Sequence, residues 1–236
     1  MIYSLLVSLG RGASLRDVLP GILFTIIVVL FSLSFHEMSH AFIAYKLGDP
    51  TARNLGRITL NPKKHLDPMG TVCMMLFGFG WAKPVPINTR NFKKPRSGLA
   101  LSSLAGPVSN LILAFVSMLL WALVLVFLPV PAGINAATTF GGKLLFFLKE
   151  LLMYFHVLNL YLAVFNLLPI PPLDGSNILF MFLPSKALYF IQQHEPTIRI
   201  VLFVLLFMGA LSGIIGTIST LISNGMLWII TLIPGI

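Results

Sequence analysis

The sequence predicts an all-α polytopic membrane protein: about four transmembrane helices, a short re-entrant or interfacial β-hairpin, and a broken helix at a candidate active site. Three observations carry this reading. Of the 236 residues, 57% are hydrophobic and only 10% charged, whereas a soluble domain carries about 25% charged residues. Mean hydropathy is +0.93. Long apolar runs alternate with connections that hold most of the charge. We expect one membrane-embedded domain over residues 1–236, with a functional core at about 20–185 and a C-terminal span and interfacial helix within 199–235. No stretch is long and polar enough to suggest an extra-membrane module such as a PDZ domain.

The N-terminal stretch lacks a basic start and an A-x-A site, so it does not read as a signal peptide. Residues 2–9 are too few to cross a bilayer and suit an interfacial amphipathic segment. The first span runs from about Leu19 to Tyr45. A hydrocarbon core of ~30 Å needs ~20 helical residues, so this run can cross with tilt. Residues 46–97 form a long connection. Within it, the alternation of Thr51–Asn61 and Gly56 suggest a hairpin. Residues 69–81 are apolar but too short to span, which suits a re-entrant or interfacial segment. The proline-rich strip WAKPVP that begins at Trp81 cannot be helix interior.

The second span is expected at about Leu99–Phe127, where the small residues of LSSLAGPVSN allow close helix approach. Residues 129–142 form an uncharged loop. The third span, at about Leu144–Leu168, ends at Asn166 in NLLPIPPLDG. Its prolines impose extended backbone, and Asp174 is placed to cap a new helix from Gly175 to Phe182. Residues 186–199 read as a polar loop. Residues 200–235 suit one span followed by an interfacial or re-entrant helix.

Ten of the sixteen Lys and Arg lie between Lys46 and Arg96, beside two acids, Asp49 and Asp67. In a membrane protein such a loop marks the cytoplasmic side and can touch anionic headgroups. The net charge of +9 therefore needs no nucleic-acid partner. The lone cysteine, Cys73, permits no intrachain disulfide and reads as a buried thiol.

The chemistry concentrates in His36-Glu37-Met38-Ser39-His40. This HExxH pattern ends an apolar run that contains no charged residue before Glu37. Ionisable groups in hydrocarbon are costly and mark functional sites. On a helix, His36 and His40 share a face and can grip one metal ion, with Glu37 beside the metal's water. Six residues separate His40 from Lys46, or ~9 Å of helix, so the site lies below the basic surface rather than at the midplane. A hydrolytic zinc wants three protein ligands and an open position. Asp174 is the best third candidate, because Asp17, Asp49 and Glu150 are the other acids near spans. His65, His156 and His194 suit hydrogen-bonded structural roles.

HEMSH in a span together with NLLPIPPLDG resembles the site-2 protease family of intramembrane zinc metalloproteases, peptidase family M50. RITLNPKKHLDPMGT, GWAKPVPIN and LAGPVSN are similar to its compact prokaryotic members, which lack PDZ and CBS domains. The resemblance covers about residues 20–185. It implies that His36, His40 and Asp174 bind zinc and that Glu37 is the general base. It further implies that Asn166 holds the substrate backbone, although a capping role at the helix break serves equally well on sequence alone. The implied substrates are transmembrane proteins, and in a prokaryote the implied location is the cell membrane. An unwound substrate could add to a strand edge of the 51–61 hairpin or of the WAKPVP strip. The competing class is a transporter or channel with a midplane ion site, but no second copy of either motif is present. A non-catalytic metal-binding scaffold is the third class, and Glu37 argues against it.

Overall fold

The computed structural model describes residues 14–77, 81–128 and 139–235. The expected interfacial segment at 2–9 and most of the 129–142 loop lie outside these residues. Nine α-helices are described: α1 Leu15–Lys46, α2 Thr51–Asn54, α3 Pro62–His65, α4 Pro68–Phe77, α5 Pro95–Phe127, α6 Phe140–Asn166, α7 Asp174–Phe180, α8 Ser185–Phe207 and α9 Ser212–Thr231. Four of them, α1 from Val18, α5, α6 and α9, are long and apolar enough to cross a membrane. The chain is a multi-pass membrane protein.

Helix α5 is the hub, packing against α1, α6 and α7. Its buried face explains why. Gly98, Ala100, Ser102, Ser103, Gly106, Ser109, Ala114, Ser117 and Ala122 are all small. In lipid, helices gain little from hiding apolar surface and associate through close van der Waals contact, which small residues permit. Large apolar side chains such as Leu23, Ile27 and Phe31 on α1 and Ile112, Val116 and Leu120 on α5 remain exposed and face outward. Helix α9 joins through Ile230, which packs with Met118 and Ala122 of α5.

Polar side chains bolt the spans together. His156 of α6 donates from Nδ1 to Ala114 O of α5 at 3.0 Å, and its Nε2 lies 2.9 Å from Ser223 Oγ of α9. Asn159 of α6 meets Asn110 of α5 and Ser32 of α1, each at 2.8 Å. Such interhelical bonds average about 0.6 kcal/mol each in a bilayer. Their larger effect is on register, since an unpaired polar group in hydrocarbon costs several kcal/mol.

The connection between α1 and α5 departs from expectation. Among the described residues there is no strand, and the expected hairpin at 51–61 is absent. The completely buried Asp49 accepts bonds from Thr51 N and Oγ1 and so opens a helical turn, α2. Its carboxylate also receives Asn88 N and Asn91 Nδ2, both at 2.7 Å. Burial raises the Asp49 pKa, but the bonds from Thr51, Asn91 and Asn88 outweigh it and hold the carboxyl below its usual range.

The misleading alternation has its own cause. Arg57 is buried, and its guanidinium donates to Lys83 O and Pro84 O at 2.5 and 3.1 Å. It serves the proline strip rather than a partner strand. The strip itself is not helical, as expected, and Ala82 forms an isolated antiparallel bridge with Leu66. The apolar segment after Asp67 forms the short helix α4.

The C-terminal region differs in a second way. Residues 186–199, expected as a polar loop, continue α8, with Pro196 inside it. Arg199 and Glu195 form an i,i+4 ion pair at 2.5 Å, an arrangement that supports a helix. The chain then turns at Gly209, whose φ is +69°. The segment expected to hold a span followed by an interfacial helix instead completes α8 and then forms α9, the candidate span.

Candidate metal centre

Helix α1 presents His36, Glu37 and His40 on its buried side: the two imidazoles and the carboxylate are at most 9% exposed. The third element arrives from the helix break. After α6 ends at Asn166, the prolines carry the chain across to α7, which begins at Asp174. Two contacts seat it there. Asn177 Nδ2 donates to Ser103 Oγ of α5 at 3.0 Å. Gly175 lies so close to the end of α6 that a Cβ there would overlap Leu167 O and stand 2.5 Å from Leu168 O. The sequence suggested Asp174 as an N-cap. It is instead the first helical residue, makes no cap bond, and turns its carboxylate to the histidines.

His36 Nε2 lies 3.0 Å from His40 Nε2. Asp174 Oδ2 lies 3.1 and 3.4 Å from them, respectively. The other ring nitrogens are committed. His40 Nδ1 faces Ser102 O at 2.7 Å, and His36 Nδ1 faces Asn110 Oδ1 at 2.5 Å. A backbone carbonyl can only accept, so His40 Nδ1 carries the proton and its Nε2 presents a lone pair. Asp174 Oδ2 is buried and has no hydrogen-bond partner. Acceptor atoms thus converge on one point, and the orphaned carboxylate oxygen among them suits a cation.

The separations fit the chemistry. Ligands ~2.0–2.1 Å from a tetrahedral ion lie ~3.3 Å apart, close to the three distances observed. Nitrogen and carboxylate donors suit zinc, and three of them leave a fourth position open. These three residues are the group of possible ligands found among the described residues.

Comparison with known proteins agrees with this geometry. The family model for Peptidase family M50 matches residues 24–209. The chain belongs to that family. It is 42% identical over 190 residues to "Putative zinc metalloprotease YwhC" of Bacillus subtilis, a match covering 80% of this chain and 82% of that protein. It is 36% identical over 183 residues to "Putative zinc metalloprotease Rip2" of Mycobacterium tuberculosis, covering 74% of this chain and 64% of that protein. It is 31% identical over 167 residues to "Putative zinc metalloprotease MJ0611" of Methanocaldococcus jannaschii, covering 66% and 72%, respectively. No solved structure matches significantly. Zinc is the metal of M50 peptidases, and membership does not favour the transporter or channel reading.

The remaining candidate residues of this M50 chain fall in distinct places. Glu37 follows His36 on α1, within electrostatic reach of Arg57 and His65. Asn166 ends α6 and donates from Nδ2 back to Leu162 O at 3.0 Å. His65 is fully buried and bonds Thr59 O at 2.7 Å. His194 bonds Phe190 O at 2.8 Å. Neither His65, His156 nor His194 joins the metal-facing group. The sequence reading missed Asn110, Asn159 and Gly106. A usable signal was present: Asn110 and Asn159 are carboxamides inside apolar spans, where a polar group needs a reason.

Proposed function

We propose that this M50 zinc metalloprotease is an intramembrane endopeptidase, hydrolysing peptide bonds within or near transmembrane segments of other membrane proteins. The observation that carries the reading is the convergence of His36 Nε2, His40 Nε2 and Asp174 Oδ2 at one buried point in the last turns of a candidate span. A hydrolase sunk in this way meets substrates that share the bilayer. In a prokaryote, that bilayer is the cell membrane.

In this reading His36, His40 and Asp174 would hold the zinc, which would supply Lewis acidity to the attacking water and to the scissile carbonyl. Glu37 takes the water's proton and returns it to the departing amine, so that the amine leaves neutral. The serial position of Glu37, directly after a ligand on the same helix, keeps base and metal in fixed relation. Asn166 stands where α6 opens into the proline strip, and its side-chain oxygen is the group offered to the substrate backbone. A transmembrane substrate must first lose local helix hydrogen bonds, and backbone contacts of this kind replace some of them.

The test is cleavage of a panel of single-span proteins by the purified enzyme in lipid, with products mapped by mass spectrometry. Chelator-sensitive cuts within or beside the spans are expected. Cuts confined to soluble polypeptides would overturn the intramembrane reading.

A further inference from the structure

The two metal-facing imidazoles are oriented by different means. His40 is fixed directly, because Ser102 O of α5 accepts from its Nδ1. His36 meets a carboxamide oxygen instead, that of Asn110 at 2.5 Å. A carboxamide can rotate by half a turn and present its NH2, in which case His36 would turn a lone pair to Nδ1 and a proton towards the metal. Something must prevent that rotation.

The structure places the constraint two residues away. Asn110 Nδ2 donates to Asn159 Oδ1 at 2.8 Å. Asn159 Nδ2 in turn donates to Phe155 O and to Ser32 Oγ, each at 2.8 Å. Phe155 O is a backbone carbonyl and only accepts, so Asn159 must keep its NH2 there and its oxygen towards Asn110. That oxygen requires the Asn110 NH2, which leaves the Asn110 oxygen for His36. The polarity of the whole chain follows from one carbonyl. The path leaves α1 at His36, crosses α5 and α6, and returns to α1 at Ser32, one turn before it began. Asn110, Asn159 and Ser32 are all completely buried, so water does not compete for these bonds.

We propose that Asn159 is a positioning residue for the metal centre. Through Asn110 it holds His36 as the tautomer protonated on Nδ1, with the Nε2 lone pair directed at the ion. The proposal rests on the reading that His36 is a zinc ligand. Hydrogen bonds that orient a ligating histidine typically govern metal affinity by about 10–100-fold.

The experiment measures zinc affinity by chelator competition and the visible absorption of the cobalt-substituted protein, in detergent, on folded material. Asn159→Leu removes the acceptor for Asn110 at similar volume. It is expected to weaken zinc by about 10–100-fold and to change the cobalt spectrum. Asn159→Asp, kept protonated by complete burial, donates its O–H to Phe155 O in place of the lost NH2 and keeps its other oxygen towards Asn110. It is therefore expected to retain most of the affinity and the wild-type spectrum. A role in packing alone would lower the melting temperature of Asn159→Leu and leave affinity and spectrum unmoved, which overturns the proposal. Equal losses in Asn159→Asp and Asn159→Leu also overturn it. Should Asn159→Leu not fold, the smaller Asn159→Ala, which also removes the acceptor for Asn110, takes its place: weakened zinc with an altered cobalt spectrum supports the relay, and wild-type affinity and spectrum refute it. Undiminished zinc binding by His36→Ala would instead show that the ligand assignment is at fault.

Discussion

Gly106 of α5 and His40 of α1 are in direct apposition. A methyl group on the Gly106 Cα would overlap His40 Nε2 and Cε1 side by side and stand 2.5 Å from His36 Cε1. The imidazoles cannot retreat, because Ser102 O and Asn110 hold their other nitrogens. Gly106→Ala must therefore displace ligands or spread α1 from α5. We expect zinc affinity to fall by at least ~10-fold, the lower range for disturbing a ligand's support. Chelator competition on purified protein checks this, and wild-type affinity would mean that the helices accommodate the methyl without moving the histidines.

Asp174→Ala removes the one donor that does not come from α1. Two histidines alone make an incomplete site for zinc, which wants three protein ligands in hydrolases. Metal analysis after dialysis should find the variant largely stripped while wild type keeps one zinc per chain. Full retention by Asp174→Ala would remove Asp174 from the ligand set.

Asn166→Ala separates substrate binding from metal binding. The Asn166 amide bonds its own helix at Leu162 O, and among the described residues no hydrogen bond ties it to the metal-facing atoms. Zinc content should be unchanged and KM should rise, by several-fold if one hydrogen bond of about 1 kcal/mol is lost. Unchanged kinetics would leave Asn166 as a helix-end residue without a substrate role.

His65 gives the fold a pH dependence that can be assigned. Burial pushes its pKa below the ordinary value of 6.5; the bond to Thr59 O opposes this, Arg57 adds to it, and Glu37 opposes it least, so the direction remains downward. The folded state thus disfavours the proton. Its contribution is complete above about pH 6.5, the unfolded value, and is lost as pH falls towards and through the lower folded value. Melting temperatures in detergent from about pH 7.5 down to about pH 5 should fall more steeply in wild type than in His65→Gln. Parallel curves would show that His65 does not couple folding to pH.

Much of the site was legible because its signals are local. His36, Glu37 and His40 lie within five residues, and helix geometry alone puts the two imidazoles together. Asp174 was found as an acid beside a proline-enforced break in a chain that holds few acids. What escaped depends on how helices meet. Gly106 matters because α5 touches α1 there, and Asn159 because three helices converge on it; no spacing along one helix encodes either. The 51–61 alternation misled because Arg57 buries its charge on carbonyls 26 and 27 residues away. The 186–199 stretch misled because polarity was read as a loop, while its polar residues continue a helix, with Glu195 and Arg199 paired one turn apart.

The central claim is that Glu37 moves the proton in a zinc-dependent cleavage within the membrane. It is tested most directly by comparing wild type and Glu37→Gln on a single-span substrate in lipid, with zinc content measured on the same samples. Glutamine keeps the size of the side chain and cannot accept the proton. Loss of general base catalysis costs ~10²–10⁴-fold, so cleavage should fall at least ~10²-fold with zinc still bound. Near-normal cleavage by zinc-loaded Glu37→Gln would contradict the account.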